Sequence, residues 1–174
     1  GSPQEAKNYA VDRAGAFNYA HPDPPPSQAF CRIWRDKVIE VIDRYHPDIL
    51  YFDTRCFIIP ERYRIEMLAH YYNTSATLGR ETIITYKEND FVSGTGLPDH
   101  EAGQLADKAS FAWQTDDVLD WDSWGYLRKP NYKSAGRVIH QLIDVVSKNG
   151  NLLLDIGPRP DGTCATAPTC PNSH

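Results

Sequence analysis

Residues 48–53, which read Asp48-Ile49-Leu50-Tyr51-Phe52-Asp53, decide how the rest of the chain is interpreted. Four consecutive apolar side chains between two carboxylates predict a short strand that is buried on both faces, as in a parallel sheet. A helix is predicted directly before it, because Ser27 is a good N-cap and apolar residues then recur at three- and four-residue steps. His46-Pro47 ends that helix. The order helix–strand is typical of α/β proteins.

The same alternation continues along the chain. The further predicted elements are a helix over 60–73, strands over 82–86 and 111–114, a helix that Ser134 caps, and a strand over 151–156. Residues 88–110 contain three glycines and a proline and are predicted to be a loop. The side chains expected to face inward are Phe30, Trp34, Val38, Val41, Ile42 and Tyr45, then Ile65, Leu68, Ala69 and Tyr72, then Val138, Ile139, Leu142, Ile143 and Val146.

Polar residues stand where the predicted parallel strands end, at Asp53, Lys87 and Gln114. A (β/α)8 barrel of the TIM type carries its chemistry at this edge, and such a barrel typically needs about 250 residues. The chain has 174 residues and four strands predicted from its pattern. We therefore expect an α/β fold that is a partial TIM-type barrel.

Composition and charge exclude several classes of protein. Lys and Arg number 18 against 23 Asp and Glu, so the net charge of −5 argues against a nucleic-acid partner. No apolar run approaches the roughly 20 residues of a membrane-spanning helix, so no membrane partner is expected. Neither the six histidines nor the four cysteines show metal-ligand spacing, and no metal site is predicted.

Two carboxylates are candidates for catalysis. Asp53 follows an apolar strand and is either a nucleophile held on a rigid element or an ordinary strand-end carboxylate. Glu101 is either a general acid/base over the barrel mouth or a solvated loop acid. Glycoside hydrolysis requires such a pair, and its members need not be close in sequence. The acidic run over 116–122 is predicted to be a solvated loop, since it lacks the glycine and terminal glutamate of a calcium loop.

Several motifs resemble those of glycoside hydrolase family 29, the α-L-fucosidases. Residues 148–158 with Asp-Gly-Thr at 161–163 resemble the last barrel strand of that family, and Ser-Trp-Gly-Tyr at 123–126 matches another motif. Residues 47–53 resemble the strand that bears the nucleophile. Segments 86–91, 99–103 and 113–116 resemble one branch, in which the Glu of Asp-x-Glu-x-Gly acts as acid/base. The resemblance covers about residues 28–163.

The resemblance implies a retaining enzyme that removes terminal α-L-fucose from an oligosaccharide or glycoconjugate, without a cofactor or metal. Asp53 is then the nucleophile and Glu101 the acid/base. Trp124 is expected to pack against the apolar face of fucose with Tyr51 beside it, and Lys87 and Trp113 complete the expected substrate-binding set. The family also implies a secreted, periplasmic or lysosomal location rather than a cytoplasmic one.

Three departures from the family pattern qualify this interpretation. The His-His-Asp-Gly-Phe segment of the early barrel is not in the sequence, Asp155 replaces the usual asparagine, and 164–174 has no helical period. We therefore expect 3–163 to be the C-terminal half to two-thirds of the catalytic barrel, incomplete at its N-terminus, and 164–174 to be an irregular tail. A fragment that binds glycan or a partner without turnover is one alternative, and another barrel enzyme that uses its Asp/Glu pair differently is a second. Exposed strands at the two sheet edges predict either a homo-oligomer or poor solubility.

Overall fold

The computed structural model describes residues 26–53, 55–87, 90–103 and 105–163. Within these ranges the helices are α1 (Gln28–Tyr45), α2 (Glu61–Thr77) and α3 (Ala135–Ser147), with a 3-10 turn at Cys56–Ile58. The strands are β1 (Ile49–Phe52), β2 (Ile83–Lys87), β3 (Leu97–Glu101), β4 (Trp113–Val118) and β5 (Gly150–Asp155). The predicted tail over 164–174 lies outside the described residues.

The chain divides into two compact units. The described part of the first contains α1, the 3-10 turn and α2, where Cys31, Ile59 and Tyr63 form a buried cluster against which Trp34 and Ile58 pack. The described part of the second contains the five strands and α3. None of the described helices combines the length and hydropathy needed to cross a bilayer.

The five strands of the second unit form one sheet in the order β1–β2–β3–β4–β5, and every neighbouring pair is parallel. Parallel neighbours in chain order are the arrangement of successive strands in a TIM-type barrel, so the predicted α/β class and partial barrel are confirmed. Because all five strands run the same way, their carboxyl ends meet at one edge of the sheet. That edge positions the candidate site.

Strand β3 corrects the prediction that residues 88–110 are a loop. Its sequence Leu-Pro-Asp-His-Glu has no apolar run, and Pro98 lacks a backbone N–H. It is a strand because β2 and β4 pair with it on both sides. Gly96 lets it approach β2 closely, since a Cβ at this position would lie 2.4 Å from the Ile84 carbonyl oxygen. Pairing with neighbours overrides local propensity here.

Strand β4 corrects a second prediction. The expected strand over 111–114 is displaced to Trp113–Val118, and all six of its residues are buried. The acidic run over 116–122 is therefore not a solvated loop, because Asp116, Asp117 and Asp120 are all buried. The carboxylates lie inside because each has cationic or N–H partners there, which the sequence pattern does not display.

The helices are correctly predicted, but their buried faces are not. In α1 only Ile42 of the predicted stripe is fully buried, while Phe30 and Tyr45 are exposed. The buried residues of α2 are Tyr63, Met67, Tyr71 and Ser75 instead of the predicted set. The buried residues of α3 are Gln141 and Val145, and most of its predicted stripe, namely Ile139, Leu142, Ile143 and Val146, is exposed. Periodicity identifies an apolar face, but the packing partners decide which face is covered.

Candidate functional site

The candidate site lies at the carboxyl edge of the sheet in the second unit. Lys87 and Glu101 are the last residues of β2 and β3, and Asp53 directly follows β1. Asp116 of β4 is the register partner of Glu101, so the two lie side by side. Side chains alternate between the faces of a strand, so Asp99 shares the face of Glu101. Four consecutive strands therefore bring their polar ends to one place.

The Lys87 ammonium is the centre of this cluster. Its Nζ lies 2.8 Å from Asp116 Oδ2, 3.3 Å from Asp53 Oδ1 and 3.7 Å from Asp99 Oδ2, and it also forms an ion pair with Glu101. The lysine side chain is only 7% exposed, whereas those of Asp53 and Glu101 are 75% and 56% exposed. A buried ammonium requires such partners. Lys87 thus holds two accessible carboxylates and two buried ones around a single positive charge.

The Tyr51 hydroxyl is the second shared group. Its oxygen lies 3.0 Å from Asp99 Oδ2, 3.2 Å from Asp116 Oδ2 and 3.4 Å from Asp53 Oδ1. Burial, followed by the charges of Asp99 and Asp116, raises the pKa of Tyr51 far above its usual range. The protonated form of the tyrosine is therefore favoured, and its hydroxyl acts as a hydrogen-bond donor to these carboxylates.

Asp99 is the most enclosed carboxyl group of the cluster. Its side chain is 0% exposed, and among the described residues its Oδ1 has no hydrogen-bond partner of normal geometry. Burial and the Asp116 charge raise the pKa of Asp99, against the opposing polar contacts of Tyr51 and Gln114. Among the described residues, carboxylate oxygens of Asp53, Glu101 and Asp116 lie within 4.8 Å of one another, and the cation in contact with all three is the Lys87 ammonium.

Asp117 forms a separate ionic contact, and its neighbour in β4, Asp116, belongs to the cluster. Asp117 accepts hydrogen bonds from Lys133 Nζ at 2.7 Å, from Gln141 Nε2 at 2.7 Å and from the Val118 N–H at 2.8 Å. Burial acts to raise the pKa of Asp117, but these hydrogen bonds outweigh it and lower the pKa. The contact with Gln141 joins β4 to α3, so we interpret this carboxylate as structural.

The two predicted tryptophans are not among the residues that form the ion pairs and hydrogen bonds of the cluster. Trp113 is 1% exposed, its indole N–H donates to the Lys148 carbonyl at 2.9 Å, and its ring lies beside His100. These contacts are those of a core residue and give no support to its predicted contact with substrate. Trp124 is 42% exposed on the loop after β4. The next residue of that loop, Gly125, packs against Gly157, where a Cβ would lie 2.7 Å from the Gly125 carbonyl carbon.

The structure thus brings together four of the six predicted site residues, namely Tyr51, Asp53, Lys87 and Glu101. Sequence reasoning assigned no role to Asp99 or Asp116. A signal for Asp99 was present, because it lies two residues before Glu101 and so shares its face once β3 is known to be a strand. Asp116 lies within the acidic run that the sequence pattern predicts to be a loop, so the pattern gives no signal for its role.

Comparisons with known proteins agree on one family. The α-L-fucosidase family model matches residues 4–168. A plasma α-L-fucosidase from Pongo abelii is 31% identical over 141 residues, which are 73% of this chain and 29% of that protein. A tissue α-L-fucosidase from Rattus norvegicus is 26% identical over 144 residues. The chain spans less than a third of the length of these relatives.

Solved structures give the same result. An α-L-fucosidase structure superposes with a TM-score of 0.68 at 25% identity, over 81% of this chain and 31% of that one. The α-fucosidase of Thermotoga maritima, in complex with fucose, superposes with a TM-score of 0.63 at 26% identity, over 80% of this chain and 30% of that one. Both the sequence and the fold of this chain are therefore similar to those of α-L-fucosidases.

Proposed function

This chain belongs to the α-L-fucosidase family, and on that premise we propose that it provides the catalytic carboxylates for hydrolysis of terminal α-L-fucosides with retention of configuration. The substrate class is a fucosylated oligosaccharide or glycoconjugate. The observation that carries the mechanism is the position of the two accessible carboxylates. One oxygen of Asp53 and one of Glu101 lie within 4.8 Å of each other at the carboxyl edge of the sheet.

A retaining mechanism requires a close pair of carboxyl groups, and we propose retention on this ground together with membership of the family. Retaining pairs lie about 5–5.5 Å apart, whereas inverting pairs lie about 6.5–9.5 Å apart to leave room for a water molecule. In the first step, Asp53 attacks the anomeric carbon while Glu101 gives its proton to the departing oxygen. In the second, Glu101 takes a proton from water, the water oxygen attacks the same carbon, and the bond to Asp53 breaks.

Lys87 and Tyr51 support the nucleophile in this proposal. The ammonium lies 3.3 Å from one oxygen of Asp53, and the Tyr51 hydroxyl lies 3.4 Å from the same oxygen. These contacts hold the carboxylate in place while its 75% exposure leaves it accessible to a sugar. Positioning of this kind supplies a large share of catalytic rate enhancement. Trp124 remains the proposed contact for the apolar face of fucose, since its ring is partly exposed.

The test is a hydrolysis assay with a chromogenic α-L-fucoside, with the anomer of the first-formed fucose observed by NMR. Release of the α-anomer supports the proposed pair, and release of the β-anomer contradicts it. The matched control is Asp122→Asn, which removes an exposed carboxylate outside the cluster. This variant is expected to retain the activity of the unaltered chain.

A fragment that binds fucosylated glycan without turnover is the second candidate. Saturable binding of a fucosylated glycan with no release of fucose would establish this alternative. We also propose a location outside the cytosol, which the plasma α-L-fucosidases among the relatives support.

A further inference from the structure

The Tyr51 hydroxyl has more acceptors around it than it has protons. Three carboxylate oxygens, from Asp99, Asp116 and Asp53, lie 3.0–3.4 Å from its oxygen. A phenol carries one proton and can donate it to one acceptor at a time. If all three groups were ionised, at least two of these oxygen–oxygen contacts would have no hydrogen atom between them. One further proton in the cluster removes much of this conflict.

Asp99 is the group best placed to hold that proton. Asp116 is paired directly with Lys87 at 2.8 Å, whereas Asp99 lies 3.7 Å from the same nitrogen, beyond hydrogen-bond distance. Asp53 and Glu101 are largely exposed and can be hydrated, but the Asp99 side chain is fully buried. Of the four carboxyl groups, it is therefore the one for which a negative charge is most costly.

Every strand packed around Asp99 contributes to its electrostatic environment. Tyr51 approaches it from β1, Lys87 from β2, and Asp116 with the neutral Gln114 from β4. Asp53, at the end of β1, contacts the same Tyr51 oxygen. Glu101 is the other carboxylate on its own strand. One cation thus faces four carboxyl groups, and full ionisation would leave three negative charges uncompensated.

We propose that Asp99 is held as the neutral acid and is the pH-dependent element of this site. As the neutral acid, Asp99 donates a hydrogen bond to the Tyr51 oxygen. The Tyr51 proton and the Lys87 ammonium are then available to interact with Asp53 and Asp116. When Asp99 ionises, it loses its proton to solvent and competes for both of these groups. The role in turnover rests on the proposed function, whereas the protonation state does not.

The electrostatics of the cluster agree with this geometry. Burial and the Asp116 charge raise the pKa of Asp99 above its ordinary value. The pKa of Tyr51 is also raised, first by burial, so the tyrosine keeps its proton while Asp99 titrates. Asp99 is then a positioning residue, which acts on the nucleophile through Tyr51 and Lys87.

The direct test is a titration of the full 174-residue chain, with 13C-labelled aspartate carboxyl carbons and tyrosine ζ carbons observed by NMR. The Asp99 signal is assigned by its loss in Asp99→Asn. We expect it to titrate above the ordinary value of about 3.9. We also expect the Tyr51 ζ-carbon shift to change in step with it, and to lose this step in Asp99→Asn. A merely structural carboxyl would not produce the coupled change.

Asp117→Asn is the matched control, because Asp117 is a buried carboxylate of the neighbouring strand whose pKa is lowered. Its substitution is expected to leave the Asp99 titration in place. Asp99 titrating at or below about 3.9 overturns the proposal, as does a Tyr51 signal that is constant through the ionisation of Asp99. The result is independent of turnover, so an inactive chain in which Asp99 titrates high refutes the proposed function alone.

Discussion

Replacing Lys87 with methionine is expected to destabilise the fold more than any other single change at the candidate site. The substitution removes the cation of the cluster and keeps an apolar side chain of similar length. The ion pairs of Lys87 do not contribute equally to stability, because the side chains of Asp53 and Glu101 are 75% and 56% exposed. Exposed ion pairs contribute about 0–1 kcal/mol each. The large effect comes from Asp116, whose side chain is 9% exposed and directly paired.

Removing one partner of a buried ion pair typically costs about 3–5 kcal/mol, since the other charge is left buried and uncompensated. We expect Lys87→Met to lower the free energy of unfolding at pH 7 by about this amount. With a urea m-value of about 2 kcal/mol/M, the midpoint of urea unfolding falls by about 2 M. Adding Asp116→Asn to Lys87→Met is expected to restore part of the loss, because it removes the stranded charge.

The assay is urea unfolding observed by tryptophan fluorescence and circular dichroism. Lys129→Met, at an exposed lysine, is the matched control and is expected to leave the midpoint unchanged. A loss smaller than about 1 kcal/mol in Lys87→Met would contradict the reasoning, because this is the size expected of a surface ion pair. A double variant as unstable as Lys87→Met alone would show that the Asp116 charge is not the cause.

Three further predictions follow from individual contacts. Asp117→Asn is expected to lower the free energy of unfolding at pH 7 by about 1.5–3 kcal/mol, because the charged hydrogen bonds of Asp117 are lost. The pKa of Asp117 is lowered in the folded protein, so this difference should be fully present above the ordinary Asp value of about 3.9 and should disappear as pH falls through the folded-state pKa. Urea unfolding over a pH series measures it. Glu101→Gln is expected to slow fucosides with poor leaving groups most, and equal kcat/KM losses across a leaving-group series would contradict an acid role. Strands β1 and β5, which are the edges of the described sheet, are expected to promote association; a monodisperse monomer in sedimentation velocity at high concentration would refute this.

The proposed protonation of Asp99 has its own thermodynamic signature. A carboxyl group with a raised folded-state pKa contributes stability that is fully present below the unfolded value of about 3.9 and is lost as pH rises through the folded-state pKa. The stability of the unaltered chain relative to Asp99→Asn should therefore fall across this window. Urea unfolding over a pH series measures the difference, and a difference that rises with pH would contradict the raised pKa.

The parts of the fold that were predicted from sequence are those with a strong apolar signal. Strands β1, β2 and β5 contain runs such as Ile-Leu-Tyr-Phe, and their apolar character marks them without knowledge of the neighbours. β3 has one such residue, Leu97, and becomes a strand only because β2 and β4 pair with it. The helix faces were misplaced for a related reason. A buried face is fixed by what packs on it, and Gln141 lies inside because Asp117 accepts its amide.

Only part of the candidate site could be predicted, because some of its residues have a local signal in the sequence and others depend on strand pairing. Asp53 and Lys87 were found because a polar residue at the end of an apolar strand is conspicuous. Asp99 and Asp116 contact the same ammonium, but their role depends on parallel pairing between strands far apart in sequence. The family resemblance implies a sugar contact for Trp113, yet its indole N–H donates to a backbone carbonyl within the core. Residue type alone does not distinguish these two environments.

The central claim, that Asp53 is the nucleophile of a retaining fucosidase, is tested most directly by covalent labelling. The chain is incubated with 2-deoxy-2-fluoro-α-L-fucosyl fluoride, and the modified peptide is identified by mass spectrometry. Labelling needs one glycosylation event rather than repeated turnover, so the covalent adduct is detected even if the chain is a slow catalyst. The account predicts one fluorofucosyl adduct on Asp53, absent from Asp53→Asn and present in Asp122→Asn. No adduct, or an adduct on another residue, would contradict it.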